Sequence, residues 1–94
     1  MFVSEWGAEG TGDREFLWPS GVSVAPDGSV YVSDSSGNRI QKFTSEGVFV
    51  TKWGTEGTGD GQFNWPQDVA VASDGSVYVA DSKNNRIQKF AAGP

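Results

Sequence analysis

The sequence of 94 residues predicts an all-β fold made of two four-stranded antiparallel sheets. The first observation is an internal repeat, because residues 1–47 align with residues 48–94 without a gap and 29 of the 47 aligned positions are identical. The second is that each copy holds short apolar or alternating segments separated by clusters of Gly, Asp, Asn and Ser, which is typical of strands joined by tight turns. The third is that no segment shows apolar residues at helical spacing over a useful length.

The four strands of a copy are predicted in order along the chain. The first covers residues 21–25 and ends at a Pro-Asp-Gly turn, which is a hairpin signal. The second covers residues 30–33, and the third, residues 39–44, follows a cluster rich in turn residues. The fourth covers residues 48–53, after which the glycine-rich residues 54–66 lead into the second copy. Each copy is therefore expected to form an antiparallel meander.

Polarity rises from the inner to the outer strands, which favours the blades of a β-propeller over a sandwich or a barrel. In the second copy the first two strands, at residues 69–72 and 77–80, are apolar on both faces, as strands covered on both sides are. The outer strands, at residues 86–90 and 49–53, mix long polar side chains with apolar ones, as partly solvated strands do. A sandwich would show one-sided alternation in most strands. The chain is therefore expected to form two blades.

Two blades are too few to close a propeller, so other copies of the chain are expected to complete the ring by homo-oligomerisation. Residues 1–6 match the outer strand, residues 21–53 hold one full blade, and residues 68–90 hold the three inner strands of a split blade. The amino-terminal strand of one copy is expected to complete the split blade of the next, in a head-to-tail contact. The residues expected at this oligomer interface are Phe2, Val3, Trp6, Arg86, Ile87 and Phe90.

Composition excludes several classes of function. The sequence has no Cys and no His, which excludes disulfides and metal sites built on thiolate or imidazole. Its net charge of −5 argues against nucleic acid as a partner. Apolar runs are too short to span a membrane and residues 1–20 lack the pattern of a secretory signal, so a soluble protein of unknown compartment is expected. No nucleophile or acid–base motif indicates an enzyme, and no cofactor is expected.

Two longer motifs carry a family resemblance. Asp-Ser-x-x-Asn-Arg-Ile-Gln-Lys-Phe occurs at residues 34–43 and 81–90, and each copy follows an Asp-Gly-Ser-Val-Tyr-Val segment. With these motifs the sequence resembles the NHL repeat family over nearly its whole length. Propellers of that family typically have six blades, so the resemblance implies a homotrimer. The period of 47 residues is long for the family, which leaves an eight-bladed tetramer open. Copies this similar are typical of a recent duplication, an engineered repeat or a fragment of a longer array.

Arg39 and Arg86 each follow a turn that begins with an aspartate. Each guanidinium either bridges this aspartate to the neighbouring blade or faces solvent and binds a carboxylate or phosphate, and the structural role is favoured. Together with Trp18 and Trp65, these arginines are the candidates for binding a protein or peptide on the loop face of the ring.

The glycine-rich connections also carry acidic residues that would form a circle in an assembled ring. Glu9, Asp13, Glu56 and Asp60 are weak candidates for a cation site, although their run lacks the dense oxygen spacing of an EF-hand. The leading hypothesis is a self-assembling interaction module without catalytic activity, a homotrimer of six blades. The alternative is a ring, possible also as a tetramer, that binds a cation, a small polar molecule or a peptide at its loop face.

Overall fold

The computed structural model describes residues 1–92 and is built from short β-strands with one 3-10 turn. The strands are β1 (Ala8–Glu9), β2 (Glu15–Phe16), β3 (Pro19–Val24), β4 (Val30–Asp34), β5 (Arg39–Phe43), β6 (Phe49–Trp53), β7 (Pro66–Val71), β8 (Val77–Asp81) and β9 (Arg86–Phe90), and the 3-10 turn is Ser82–Asn84. Within residues 1–92, no helix has the length and apolar character needed to cross a membrane. The predicted all-β fold is confirmed.

The main strands form two antiparallel meanders. Strands β3, β4, β5 and β6 pair in that order to form blade 1, and strands β7, β8 and β9 pair in that order to form blade 2. Strands β1 and β2 form a separate parallel pair of two residues each. The four strands of blade 1 lie within two residues of their predicted bounds. The sheet order is therefore the one that the turn signals indicated, whereas the small parallel pair inside the connection was not predicted.

Asp-Gly turns join the first two strands of each blade. In blade 1 the Ser29 amide donates to Asp27 Oδ1 at 2.9 Å, and Gly28 adopts a φ of 92°, which a residue with a side chain rarely adopts. The same amide hydrogen bond lowers the pKa of Asp27 from its usual value. Blade 2 repeats this turn with Asp74, Gly75 and Ser76. The hairpin chemistry expected from the sequence is thus present in both copies.

Each blade has two faces because side chains alternate along a strand. The strand register places Val22, Val32 and Gln41 on one face of blade 1, together with Val24, Val30 and Phe43. We call this face A, and in blade 2 it holds Val69, Val71, Val77, Val79, Gln88 and Phe90. Face B holds Gly21, Ser23, Tyr31, Ser33, Ile40 and Lys42 in blade 1, and Asp68, Ala70, Tyr78, Ala80, Ile87 and Lys89 in blade 2.

The hydrophobic core lies between the blades, where face B of blade 1 packs against face A of blade 2. Tyr31 and Ile40 come from blade 1, Val69, Val77 and Val79 come from blade 2, and Phe63 comes from the connection between them. We call this contact the internal junction. Because it uses face B of one blade and face A of the other, the internal junction is asymmetric.

Residues 1–7 form no strand within the described chain. Residues 1–6 were predicted to be the outer strand of a split blade, and that strand needs β9 of another copy as its partner. In the single chain β5 already has β6 on its outer side, so residues 1–6 have no free edge of blade 1 to join. The strand at residues 1–6 therefore stays a prediction about an assembly.

Gly21 lies against Asp68 where the first strands of the two blades pack together. A Cβ atom built on Gly21 would lie 2.9 Å from Asp68 Cα and would also collide with Asp68 Oδ1. Backbone at this distance cannot move aside as the end of a flexible side chain can. The internal junction therefore requires glycine at position 21.

We expect Gly21→Ala to lower the free energy of unfolding by about 1–3 kcal/mol, which is the usual cost of overpacking. Urea unfolding at a fixed chain concentration measures the effect. Gly59→Ala is the matched control, because its Cβ would meet only the side chain of Gln62, at 2.9 Å from Oε1. Equal loss of stability in the two variants would show that the Gly21 contact is not the reason.

Candidate interaction site

An arginine holds each long connection onto its blade. In blade 1 the Arg39 Nε donates to Asp34 Oδ2 at 3.3 Å, and its terminal nitrogens donate to the carbonyl oxygens of Thr11 and Glu15, both at 2.6 Å. In blade 2 the Arg86 Nε donates to Asp81 Oδ2 at 2.9 Å. The other Arg86 donors bind the carbonyl oxygens of Thr58, Gly59 and Gln62, each at 2.8 Å. The guanidinium fork suits several acceptors in one plane.

A glutamine beside each arginine fixes the same connection. Gln41 accepts a hydrogen bond from the Arg14 amide at 3.0 Å and donates to the Glu15 carbonyl at 2.7 Å. Gln88 makes the equivalent pair of bonds with the Gly61 amide and the Gln62 carbonyl. The aspartate, arginine and glutamine of each motif therefore form one unit, which we call the clamp.

The clamp accounts for both candidate arginines. The geometry supports a structural role for Arg39 and Arg86, because oxygens of the same chain accept hydrogen bonds from Nε and both terminal nitrogens of each guanidinium. Each arginine joins its aspartate to the connection on its own blade, however, and not to the neighbouring blade as predicted. Arg39 is also buried. In the described chain, these two candidates for the loop face are therefore engaged in hydrogen bonds within their own blade and its connection.

The carboxylates of the clamp also hold the ends of the connections. Asp34 accepts hydrogen bonds from the amides of Leu17 and Trp18, and Asp81 Oδ1 accepts one from the Asn64 amide at 2.7 Å. Burial alone favours the neutral form of Asp81. The hydrogen bonds from the Asn64 amide and from Asn84, together with the adjacent Arg86 charge, outweigh burial and hold the pKa of Asp81 below its usual 3.8.

We expect Asp81→Asn to lower the free energy of unfolding at pH 7 by about 1–3 kcal/mol, because the buried partners of the carboxylate lose an acceptor. Since the pKa of Asp81 is depressed by folding, its contribution is present above about pH 3.8 and is lost as the pH falls through the folded pKa. The difference in the free energy of unfolding between wild type and variant should therefore become smaller in acid. Urea unfolding at pH 7 and pH 3 measures it.

Asp13→Asn is the control for this experiment. Asp13 Oδ1 lies 3.0 Å from Lys52 Nζ, and both side chains are about half exposed, so the ion pair is expected to contribute at most about 1 kcal/mol. A gap between Asp81→Asn and wild type that stays constant from pH 7 to pH 3 would contradict the role assigned to the Asp81 charge.

The acidic candidates for a cation site lie on the two connections of the described chain. Glu9, Asp13, Glu56 and Asp60 are exposed, and Asp13 is paired with Lys52. Among residues 1–92 no three His, Cys, Asp or Glu side chains are grouped so that they could hold a metal ion. The circle of carboxylates expected in an assembled ring is not tested by a single chain.

Trp18 and Trp65 contact each other on the loop side of the two blades. Their ring centroids are 6.4 Å apart, and Lys83 Nζ lies 5.0 Å from the centroid of Trp65. The Trp65 amide donates to Asn38 Oδ1 of blade 1 at 2.9 Å, so the start of blade 2 is tied to the preceding blade. Trp18 is exposed at the edge of blade 1. Of the loop-face candidates, Trp18 is the most exposed.

Each outward face of the chain carries exposed apolar side chains. Val22 and Val24 are exposed on face A of blade 1, and Tyr78 and Ile87 are exposed on face B of blade 2. The aligned residues of the other copy are buried in the internal junction: Val22 is 65% exposed and Val69 only 4%, while Ile87 is 65% exposed and Ile40 0%. We call these two surfaces the free faces.

The structure divides the predicted interface residues into two groups. Phe2, Val3 and Ile87 are exposed, whereas Trp6 is partly buried against Phe43. Arg86 belongs to the clamp, and Phe90 packs within the chain on Trp53 and Phe63.

Sequence reasoning missed the exposed residues on the inner strands. Val22, Val24 and Tyr78 lie on the free faces, although the sequence marks them only as ordinary members of apolar strands. If the face covered by the neighbouring blade were known, aligning each residue with its counterpart 47 positions away would identify these residues as members of an uncovered copy of that face. That information requires the packing of the blades.

Paired meanders packed face to face, with a connection clamped onto each, define a β-propeller-like repeat protein. The model of the NHL repeat matches residues 16–43 and 63–90, which together make up more than half of the chain. The chain belongs to the NHL repeat family. Comparison with curated proteins gives no match.

Solved structures agree with this fold. A structural-genomics protein of unknown function from Bacteroides thetaiotaomicron is similar with a TM-score of 0.66 and 23% identity, over 82% of this chain and 22% of that one. A streptogramin B lyase is similar with a TM-score of 0.58 and 15% identity, over 80% and 26%. A catalytically inactive virginiamycin B lyase from Staphylococcus aureus with quinupristin gives 0.55 and 21%, over 80% and 27%. This chain thus spans about a quarter of those proteins, and the likeness shows the fold alone.

Proposed function

We propose that the chain is a self-assembling interaction module, in which copies join head to tail and close a propeller. The observation that carries the proposal is the match between the free faces and the internal junction. Face A of blade 1 carries the same apolar residues, including Val22 and Val24, that face A of blade 2 uses inside the chain as Val69 and Val71. A second copy of the chain is therefore the proposed partner of each free face, because the internal junction shows how a blade of the same sequence covers such a face.

The same match holds for the other free face. Tyr78 and Ile87 on face B of blade 2 correspond to Tyr31 and Ile40, which are 2% and 0% exposed in the internal junction. A contact between face B of one copy and face A of the next would repeat the internal junction. Such a contact is heterologous, and heterologous contacts close into rings when the rotation between neighbours allows it.

Trp6 supports the same arrangement at the rim. Its ring lies 4.5 Å from that of Phe43, and the aligned pair in the internal junction, Trp53 and Phe90, lies at 5.3 Å. Trp53 belongs to β6, the outer strand of the preceding blade. By this equivalence, Trp6 lies at the position expected for the last residue of an outer strand. That strand would belong to blade 2 of the preceding copy, so residues 2–6 would pair with β9 of that copy.

Three copies are the number we propose. Propellers have about 4–8 blades, and the six blades usual in the NHL family require a trimer of this chain. The rotation between blades 1 and 2, repeated at every junction, would set the number of copies that closes the ring.

The proposal includes no catalytic role. The similar virginiamycin B lyase is an inactive variant in which a histidine is replaced by alanine, and the present sequence has no histidine. The buried aspartates of the described chain belong to the clamps, where each accepts a hydrogen bond from an arginine and has a structural role. Binding between copies is the activity that the exposed apolar surface supports.

We expect Val22→Lys and Ile87→Lys each to prevent ring formation, because a charge would be buried in the junction. Mixing the two variants should give a one-to-one dimer, since each keeps one intact free face and the two intact faces are complementary. Native mass spectrometry and sedimentation of wild type, of each variant and of the mixture measure this. The wild type should appear at three times the mass of one chain.

Val50→Lys is the matched control, because Val50 is also exposed but lies on the rim strand β6. This variant should assemble like the wild type. A wild type that stays monomeric at high micromolar concentration would refute the proposal. A mixture of blocked variants that does not dimerise would refute the head-to-tail contact, and a wild-type tetramer would revise the number of copies.

A further inference from the structure

Resting on the head-to-tail assembly proposed above, we propose that each closing blade contains a like-charge pair, Glu5 of one copy against Asp60 of its neighbour. The corresponding place in blade 1 holds the ion pair between Lys52 and Asp13. The joint between copies would therefore be weaker than the joint within a copy, and its strength would depend on one residue of the exchanged strand.

The ion pair of blade 1 joins the outer strand to the clamped connection. Lys52 lies on β6 opposite Gln41 of β5, and its Nζ reaches Asp13 Oδ1 at 3.0 Å. Asp13 is held in place because the next residue, Arg14, donates its amide to Gln41. The pair is thus determined by the strand register and by the clamp, both of which recur in blade 2.

Asp60 occupies the position of Asp13 in blade 2. It follows Asp13 by one period of 47 residues, and the clamp holds the next residue, Gly61, through an amide bond to Gln88 at 3.0 Å. The matching bond of blade 1 has the same length. Among residues 1–92 no basic side chain forms an ion pair with Asp60. The acidic half of the pair is therefore in place, and its partner must come with the outer strand.

The outer strand of the closing blade carries Glu5 at the position of Lys52. Residues 2–6 read Phe-Val-Ser-Glu-Trp, where β6 reads Phe-Val-Thr-Lys-Trp. The shared Phe, Val and Trp fix the alignment, and Trp6 already packs on Phe43 as Trp53 packs on Phe90. In the register of β5 and β6, Glu5 lies opposite Gln88, which brings its carboxylate to that of Asp60.

The size of the effect follows from its exposure. Surface ion pairs change an equilibrium by up to about fivefold, and like charges act in the opposite direction by a similar factor. Replacing repulsion by attraction should therefore strengthen each joint by about two- to twenty-five-fold. The factor applies at every joint of a ring, so the concentration at which rings form should fall by a larger factor. Salt should reduce the effect, because the pair is solvent exposed.

The test compares ring formation by wild type, Glu5→Lys, Asp60→Asn and the double variant. Sedimentation velocity over a dilution series at low salt gives the concentration at which half of the chains are assembled. Glu5→Lys should lower this concentration at least severalfold and Asp60→Asn by less, and Glu5→Lys should gain little in the Asp60→Asn background. In about 0.5 M NaCl the gain from Glu5→Lys should shrink.

Glu56→Lys is the control, because it exchanges the same charges on an exposed loop residue outside the proposed pair. It corrects for the lower net charge of the chain. If rings form and Glu5→Lys gains no more than Glu56→Lys, the like-charge pair is refuted while the head-to-tail assembly stands. If wild type and Glu5→Lys both stay monomeric, the assembly is refuted and the pair with it.

Discussion

A blade whose two faces are both apolar must be covered on both sides, and this requirement governs the whole chain. Two blades have four faces, and one contact inside the chain covers two of them. Tyr31 and Ile40 are buried in a cluster that includes Val69, Val77 and Val79 of the other blade. Each of the remaining two faces carries exposed apolar side chains, and such patches are typical of interaction surfaces.

The clamp solves a different problem, that of the long polar connection. Residues 7–18 and 54–65 contain many backbone groups that lie outside the paired strands of the two blades. The arginine and glutamine of each motif bond these groups directly, and the aspartate bonds the amides where the connection enters the first strand. The cost of burying charged side chains is offset because each buried donor meets an oxygen.

The clamp also explains why the residue types of the motif recur together. Arginine reaches two or three carbonyl oxygens with one rigid group, which lysine cannot do. Position 38 needs a left-handed backbone, with a φ of 56°, and asparagine accepts this conformation more readily than most residues. Asn38 then uses its side chain to bind the amide of Trp65 in the next blade. One motif thus serves its own blade and the contact with the following one.

Much of this arrangement was predictable from the sequence, and the reasons are local. The Asp-Gly turns and the alternation of strand residues gave the sheet order, and the two copies gave the number of blades. The structural role of Arg39 followed from the aspartate five residues earlier. The sequence did not predict which face of a strand packs against a neighbouring blade. Both faces of the strand at residues 22–24 carry apolar or small side chains, so the pattern of polar and apolar residues does not identify the covered face. The short parallel pair at Ala8–Glu9 also depends on long-range bonds from the clamp.

Trp6 has a consequence for the cost of ordering the first residues of the chain. Fixing the backbone of one residue costs about 1–2 kcal/mol in conformational entropy. When a segment of five residues is added to a sheet, the cost of ordering these residues therefore reduces the free energy gained by binding. Trp6 is already held between Phe43 and Gly47 in the single chain. In the proposed assembly the segment would therefore be tethered at one end, its effective concentration near the adjoining edge would be high, and the remaining residues could pair one after another from that fixed point.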